Sequence, residues 1–316
     1  MQIPAWVNGR SYKAVLLSTL FAAAAYLLTV LWSGWSEVRQ AIIAIGFSGL
    51  AIALVLSLLN YLLRFVRWQL YLQTLGYPIR IWPSLRIYLA GFALTTTPGK
   101  AGELLRSLLL QRHFVPLQHS VSAFFSERLS DLLAVTGLAF LGFWLYPQAQ
   151  LLIGGATLIL LILYWLVIRG RLIHWCSNRV KSWSRIHQLM NHVQQLLGQV
   201  QRCHTVGLMT ITTCLSLVAW AAEAWAFHLI LESLGYQIPI SIAVFIYAVS
   251  MLAGALSFMP GGLGGAEAMM IALLLWQDVP AGPAVAATVV IRLATLWFAV
   301  LLGLMALLNL KVSRSD

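Results

Sequence analysis

Apolar residues in this chain run in long blocks separated by short polar stretches. The blocks lie near 14 to 32, 44 to 63, 118 to 145, 150 to 168, 206 to 232 and 282 to 309. Each approaches or exceeds the roughly 20 apolar residues that cross a hydrocarbon core, so the pattern predicts six full transmembrane helices. Composition agrees: of 316 residues 60% are apolar and 9% charged, and the mean hydropathy of +0.85 lies outside the range of a water-soluble fold. The first block follows Arg10 and Lys13, as in a secretory signal. Its apolar run is longer than an ordinary signal core and continues past the alanines at 22 to 25, so it reads as a retained helix.

The formal charge of +11 would suit a nucleic-acid partner, but the placement of the charges points to a membrane. With the N-terminus inside, Arg10 and Lys13, the basic residues from Arg64 to Arg112, those from Arg169 to Arg202, and Lys311 and Arg314 all fall on one side. Only Arg39 falls opposite, and Arg128 and Arg292 lie within spans. The positive-inside rule then predicts a multi-pass protein of the cytoplasmic (cell) membrane with both termini cytoplasmic. Cys176, Cys203 and Cys214 are odd in number and unpaired in spacing, and the seven histidines form no ligand-spaced cluster, so neither a disulfide framework, a metal nor a cofactor is expected. The polar, basic stretch from Arg169 to His204, with Trp175, Trp183, Leu189, Leu196 and Leu197 among Arg179, Lys181 and Arg185, suits a helix on the anionic cytoplasmic leaflet or a solvated connector.

An internal repeat divides the chain at that stretch. "LAGFALTTTPGKAGE" at residues 89–103 answers "LAGALSFMPGGLGGAE" at 252–267. Upstream, Asn60 precedes Pro98 by 38 positions and Glu223 precedes Pro260 by 37; downstream, Arg128 follows Glu103 by 25 positions and Arg292 follows Glu267 by 25. Each half reads as a spanning helix, a Pro-Gly-broken hydrophobic hairpin and a second spanning helix with a buried arginine. If each hairpin enters and leaves on one face, the two repeats are inverted. The resulting expectation is an all-α polytopic membrane protein with six full transmembrane helices and two re-entrant hairpins. Residues 1–43 form the first helix and an outer loop, 44–145 the first repeat, 146–205 a linking helix and the basic segment, and 206–316 the second repeat and tail.

Inverted repeats with broken helices are the architecture of secondary transporters, which bind substrate where the breaks meet. Pro98, Gly99 and Gly102 in the first half, and Pro260, Gly261, Gly262, Gly264 and Gly265 in the second, are expected to leave backbone groups free to line a polar cavity. Glu103, Glu127, Arg128, Asp131, Glu223, Glu267 and Arg292 all fall in or beside apolar segments, where a lone charge costs on the order of 3 kcal/mol. They are expected to pair, Arg128 with Glu103 and Arg292 with Glu267, or to hold substrate. Arginines clamp a phosphate, whereas the carboxylates suit a proton, a cation or an amine headgroup. Asn60 and Arg64 are assigned to the cavity, and Arg67 and Trp68 to a snorkelling anchor at the interface. No nucleotide-binding loop, nucleophile elbow or zinc-protease helix occurs, and the polar segments are too short for a catalytic domain. The enzyme alternative, a lipid-modifying transferase, would rest on Glu127, Asp131 and His113 or His119; a third possibility is an accessory membrane subunit.

The segments "NYLLRFVRW", "TTTPGKAGELLR", "SERLSD" and "PGGLGGAE", with Arg292 in the last span, resemble the lysylphosphatidylglycerol synthetase transmembrane-region family over roughly residues 15 to 310. That family includes the flippase half of the multiple peptide resistance factor. The resemblance implies a lipid flippase-like protein whose partners are membrane lipids, without the soluble aminoacyl-transferase domain of the two-part members and without a named substrate.

Overall fold

The computed structural model describes residues 9–96, 103, 105–169, 184–257 and 259–312. Every regular element among them is helical: α1 (Gly9–Thr74), α2 (Ile81–Phe92), α3 (Leu105–Leu110), α4 (Leu117–Ala139), α5 (Gly142–Leu145), α6 (Gln150–Arg169), α7 (Ser184–Arg202), α8 (Val206–Ser233), α9 (Ile240–Leu256), α10 (Gly265–Trp276), α11 (Ala281–Arg292) and α12 (Phe298–Val312). Residues 33–43, expected as an outer loop, are helical and belong to α1, whose backbone enters the left-handed region at Gly46. Four helical stretches are long and apolar enough to cross a membrane: Trp35–Thr74, Leu117–Leu145, Val206–Ser233 and Ala281–Asn309. Shorter apolar helices cover Ile153–Leu166, Ile240–Leu256 and Gly265–Trp276.

The repeat is written into the turns. Helix α1 ends at Leu75-Gly76-Tyr77 and α8 at Leu234-Gly235-Tyr236. In both turns glycine takes a left-handed conformation, φ 89° and 87°, which a side chain would disfavour. The tyrosine amide then donates five residues back, Tyr77 to the carbonyl of Leu72 at 2.9 Å and Tyr236 to that of Leu231 at 3.0 Å, closing the helix C-terminus in the same way. The next pair of turns is matched too. Phe114 and Asp278, the two non-glycine residues with positive φ among those described, stand 164 positions apart (114 to 278), and each precedes a valine and a proline that starts the next helix. Gly76 and Gly235 are 159 apart; the five extra residues fall between, in the longer α9 and its break.

Packing follows the same pairing. Helix α1 lies against α8; α4 packs on α8 as α11 packs on α1; α9 touches α4 as α2 touches α12. Along the α1–α8 seam Gly49 sits beside Ser233, Asn60 meets Ala219 and Arg67 meets Ser216. Partner numbers fall as α1 numbers rise, so the two helices run antiparallel and an approximate two-fold axis crosses their contact. Register from the turns corrects the sequence alignment: Arg64, not Asn60, is the counterpart of Glu223, and Asn60 answers Ala219. On the far side α12 approaches the end of α2 closely enough that a Cβ on Gly303 would overlap the Ala93 amide. One departure from symmetry follows Arg292, where residues Leu293–Trp297 form a π-helical turn. Such a bulge leaves the local hydrogen-bond ladder out of step, and the Tyr61 hydroxyl donates to the carbonyl of Thr295 there.

Candidate functional site

The charged residues of the first half form a closed ring of alternating sign. Glu103 meets Arg106 at 3.3 Å, Arg106 meets Glu127 at 2.8 Å, and Glu127 lies 3.8 Å from Arg67. Arg67 binds Asp131 at 2.7 Å, Asp131 lies 3.5 Å from Arg128, and Arg128 returns to Glu103 at 3.4 Å. Arg64 joins from outside the ring, 3.4 Å from Asp131. Helix geometry explains how α4 supplies three members: Glu127 and Asp131 are four apart and face one side, toward Arg67, while Arg128 turns about 100° away toward Glu103. Aromatic groups finish the enclosure. Arg106 lies over the rings of Trp68 and Tyr88, 4.5 and 4.8 Å from their centres, and the Trp220 indole donates to Asp131 at 3.0 Å.

Arg67 and Trp68 are wholly buried, contrary to the snorkelling assignment. A snorkelling arginine needs water at its head; this one faces Asp131, Glu127 and Ser216 instead. Arg64, Arg67 and Arg106 therefore do not count as loop charges, and Arg80, Arg86 and Arg112 are the exposed basic residues between Arg64 and Arg112 among those described. Arg106 was missed as a site residue although it stands in the quoted "GELLR", one helical turn after Glu103. Asn60 is buried but donates its amide to Ala219 at 2.9 Å and lines neither cavity described here.

The second half is sparser. Arg292 Nε donates to Glu267 at 2.6 Å, and a terminal guanidinium nitrogen donates to the carbonyl of Gly261 at 3.0 Å. Glu267 in turn accepts from the amide of Gly264 at 2.6 Å. The expected pairs Arg128–Glu103 and Arg292–Glu267 are thus both made, but the second break does not leave its backbone free: the Gly261 carbonyl and the Gly264 amide are held by the Arg292–Glu267 pair. Left-handed backbone at Gly261, Gly262 and Gly264, with φ from 64° to 86°, makes that loop possible. Gly261 also lies against Thr96 of the first half. Pro98, Gly99 and Gly102 lie outside the described residues. Three ring members have apolar counterparts here, Met270 for Arg106, Ile291 for Glu127 and Ala226 for Arg67, while Thr295 answers Asp131. Glu223 accepts from the Tyr247 hydroxyl at 2.7 Å.

Two cavities meet at this centre. The larger, about 290 Å³, is lined by both Arg128 and Arg292, by Asp131 and Trp220, and by Gly261 and Gly262 of the break. The smaller, about 50 Å³, is lined by Arg64, Glu103, Glu223, Tyr61, Tyr247 and Arg292. Arg292, Trp220 and Met251 belong to both walls. Side-chain exposure of 23% at Arg128, against 0% at Arg67 and 1% at Arg106, makes it the ring arginine most open to the larger cavity. His113 is exposed and His119 packs on Tyr77 at 4.9 Å between ring centres; neither has a contact with Glu127 or Asp131 in the network above.

Long apolar helices around a buried, charge-lined centre define a polytopic α-helical membrane protein. Within that class, the chain belongs to the lysylphosphatidylglycerol synthase TM region family, whose model matches residues 15–303. It is similar to a UPF0104 membrane protein of Methanothermobacter thermautotrophicus, 25% identical over 300 residues and covering 88% of each chain. A UPF0104 membrane protein of Methanocaldococcus jannaschii is 28% identical over 220 residues, 67% of this chain and 91% of its own. A third, from Pyrococcus horikoshii, is 21% identical over 92% of this chain and 96% of its own.

Proposed function

We propose that this protein is a lipid flippase that carries a phospholipid or polyprenyl-phosphate headgroup between leaflets, without altering it chemically. The observation that carries the reading is the shared position of Arg128 and Arg292: repeat counterparts, they line one cavity from opposite halves of the fold. Guanidinium groups bind phosphate in bidentate fashion, and a low-dielectric wall strengthens the attraction. A cavity of about 290 Å³ has room for a headgroup but not for acyl chains, so the tails remain in lipid. On this reading the four long apolar helices are joined by spans near 14–32 and 150–168 to make six. The two broken segments are re-entrant hairpins, the repeats are inverted across the bilayer, and both termini are cytoplasmic. Antiparallel α1 and α8 and the matched turns support that arrangement, as does the family. Exposed basic residues such as Arg80, Arg86 and Arg112 would meet the anionic cytoplasmic leaflet.

The test is transbilayer movement of fluorescent lipids in proteoliposomes across a panel of headgroups. Wild type is expected to move a phosphate-bearing lipid, and Arg128→Ala and Arg292→Ala to abolish the movement while inserting normally. Arg128→Lys is expected to recover only part of it, because a lysine lacks the planar fork. Undiminished movement in both alanine variants would remove the assignment. A chemically changed lipid recovered from the vesicles would point to an enzyme instead.

A further inference from the structure

Formal charge in the described interior is balanced. Five guanidiniums, those of Arg64, Arg67, Arg106, Arg128 and Arg292, stand with five carboxylates, those of Glu103, Glu127, Asp131, Glu223 and Glu267. An anionic headgroup entering the larger cavity would therefore add one negative charge to that balance among the described residues. Burying a net charge there is costly, and the same centre becomes neutral again if one carboxylate takes up a proton.

The geometry selects which carboxylate. Glu103 and Glu223 both line the smaller void, whose volume of about 50 Å³ admits a water and hence a proton carrier; Glu103 is held by Arg106 and Arg128, whereas Glu223 accepts from the Tyr247 hydroxyl. That void and the larger cavity share Arg292, Trp220 and Met251 as a common wall. The groups that share the smaller void with Glu223 are Tyr61 and Arg64 from α1, Tyr247 from α9, Arg292 from α11, and Glu103 from the first break; Asp131 and Arg128 of α4 line the larger cavity. Among the described residues Arg292 is thus the guanidinium that lines both voids. With Glu223 ionised, Arg292, already paired with Glu267, divides its remaining attraction between the Glu223 carboxylate and an anion on its other side. With Glu223 protonated, the anion has the larger share.

We infer that Glu223 is the proton-binding site of this protein and that it takes up a proton when an anionic headgroup binds at Arg128 and Arg292, so that lipid and proton cross together as a neutral load. The inference rests on the flippase reading. Coupling of this kind is reciprocal: whatever a proton does for headgroup affinity, the headgroup does for proton affinity. The symmetry supplies no substitute for Glu223, because its repeat counterpart is Arg64, which cannot lose its proton.

Binding of dihexanoyl phosphatidylglycerol to the full-length protein in detergent tests it, followed by calorimetry in buffers of different ionisation enthalpy. Wild type is expected to take up about one proton per lipid bound, and its affinity to tighten by up to about tenfold for each pH unit lowered. Glu223→Gln keeps an oxygen for the Tyr247 hydroxyl, and is expected to bind the lipid with no proton uptake and an affinity flat in pH. Thermal melting of the variant checks that it is folded. Lipid binding by wild type without proton uptake, or uptake that persists in Glu223→Gln, would overturn the inference and leave the flippase reading standing. Absence of any binding by folded wild-type protein would remove both.

Discussion

Asn60 donates its side-chain amide to the carbonyl of Ala219 at 2.9 Å, and the two residues occupy the same position in the two halves of the chain. A residue that touches its own counterpart lies on the axis relating the halves, so this bond marks the pivot of the fold rather than a wall of its cavity. Replacing Asn60 by leucine is expected to cost only about 0.6 kcal/mol, up to roughly 1.7, the range of hydrogen bonds between membrane helices. Lipid movement should persist. A proteoliposome assay in which Asn60→Leu is as inactive as Arg128→Ala would return Asn60 to the site.

Arg67 is expected to behave as a core residue. Its loss leaves Asp131 and Glu127 buried with less counter-charge, which typically costs about 3–5 kcal/mol. Arg67→Ala should accordingly melt far below wild type in detergent, whereas an interfacial anchor would cost under about 1 kcal/mol. A melting temperature within a degree of wild type would contradict the ring.

Arg106 and Glu127, 2.8 Å apart, answer Met270 and Ile291 in the second half, where the same fold position is apolar. Either Arg106→Met or Glu127→Ile alone is expected to destabilise by about 3 kcal/mol or more, and the double variant by clearly less than the sum. Melting of all four species in one detergent gives the coupling energy. Simple additivity would show that the pair is not acting as a unit.

Orientation is open to direct labelling. In a background freed of Cys176, Cys203 and Cys214, Arg39→Cys is expected to react with a membrane-impermeant maleimide in intact cells, and Arg86→Cys only after the cells are opened. Both original side chains are exposed. Reversed accessibility would invert the proposed topology, and equal accessibility at both sites would exclude the single crossing between them.

Repetition of spacing was readable without coordinates wherever both members of a contact fell in one short motif pair. Glu103 and Arg128, like Glu267 and Arg292, are 25 residues apart, and the pairing follows because a helix break and the next helix return the chain to the same depth. Identity between neighbouring turns was harder to see: an insertion in α9 shifts the register, which displaced the alignment of Asn60 by one helical turn. Arg67 and Arg106 were misplaced for a different reason. A basic residue near the end of an apolar block has the same local sequence whether it reaches water or an internal carboxylate.

The sequence by itself determined that the chain is helical, membrane-embedded and built twice, because apolar block length and spacing are local properties that survive any rearrangement in space. Only the tertiary structure decided which charges are loop charges and which form the ring, that the Gly261 and Gly264 backbone groups are held by the Arg292–Glu267 pair, and that Arg292 stands between two voids. Those facts depend on which side chains meet across helices, from 21 residues apart for Arg106 and Glu127 to 67 for Arg64 and Asp131, and a buried charge is defined by its partners rather than by its neighbours in the chain.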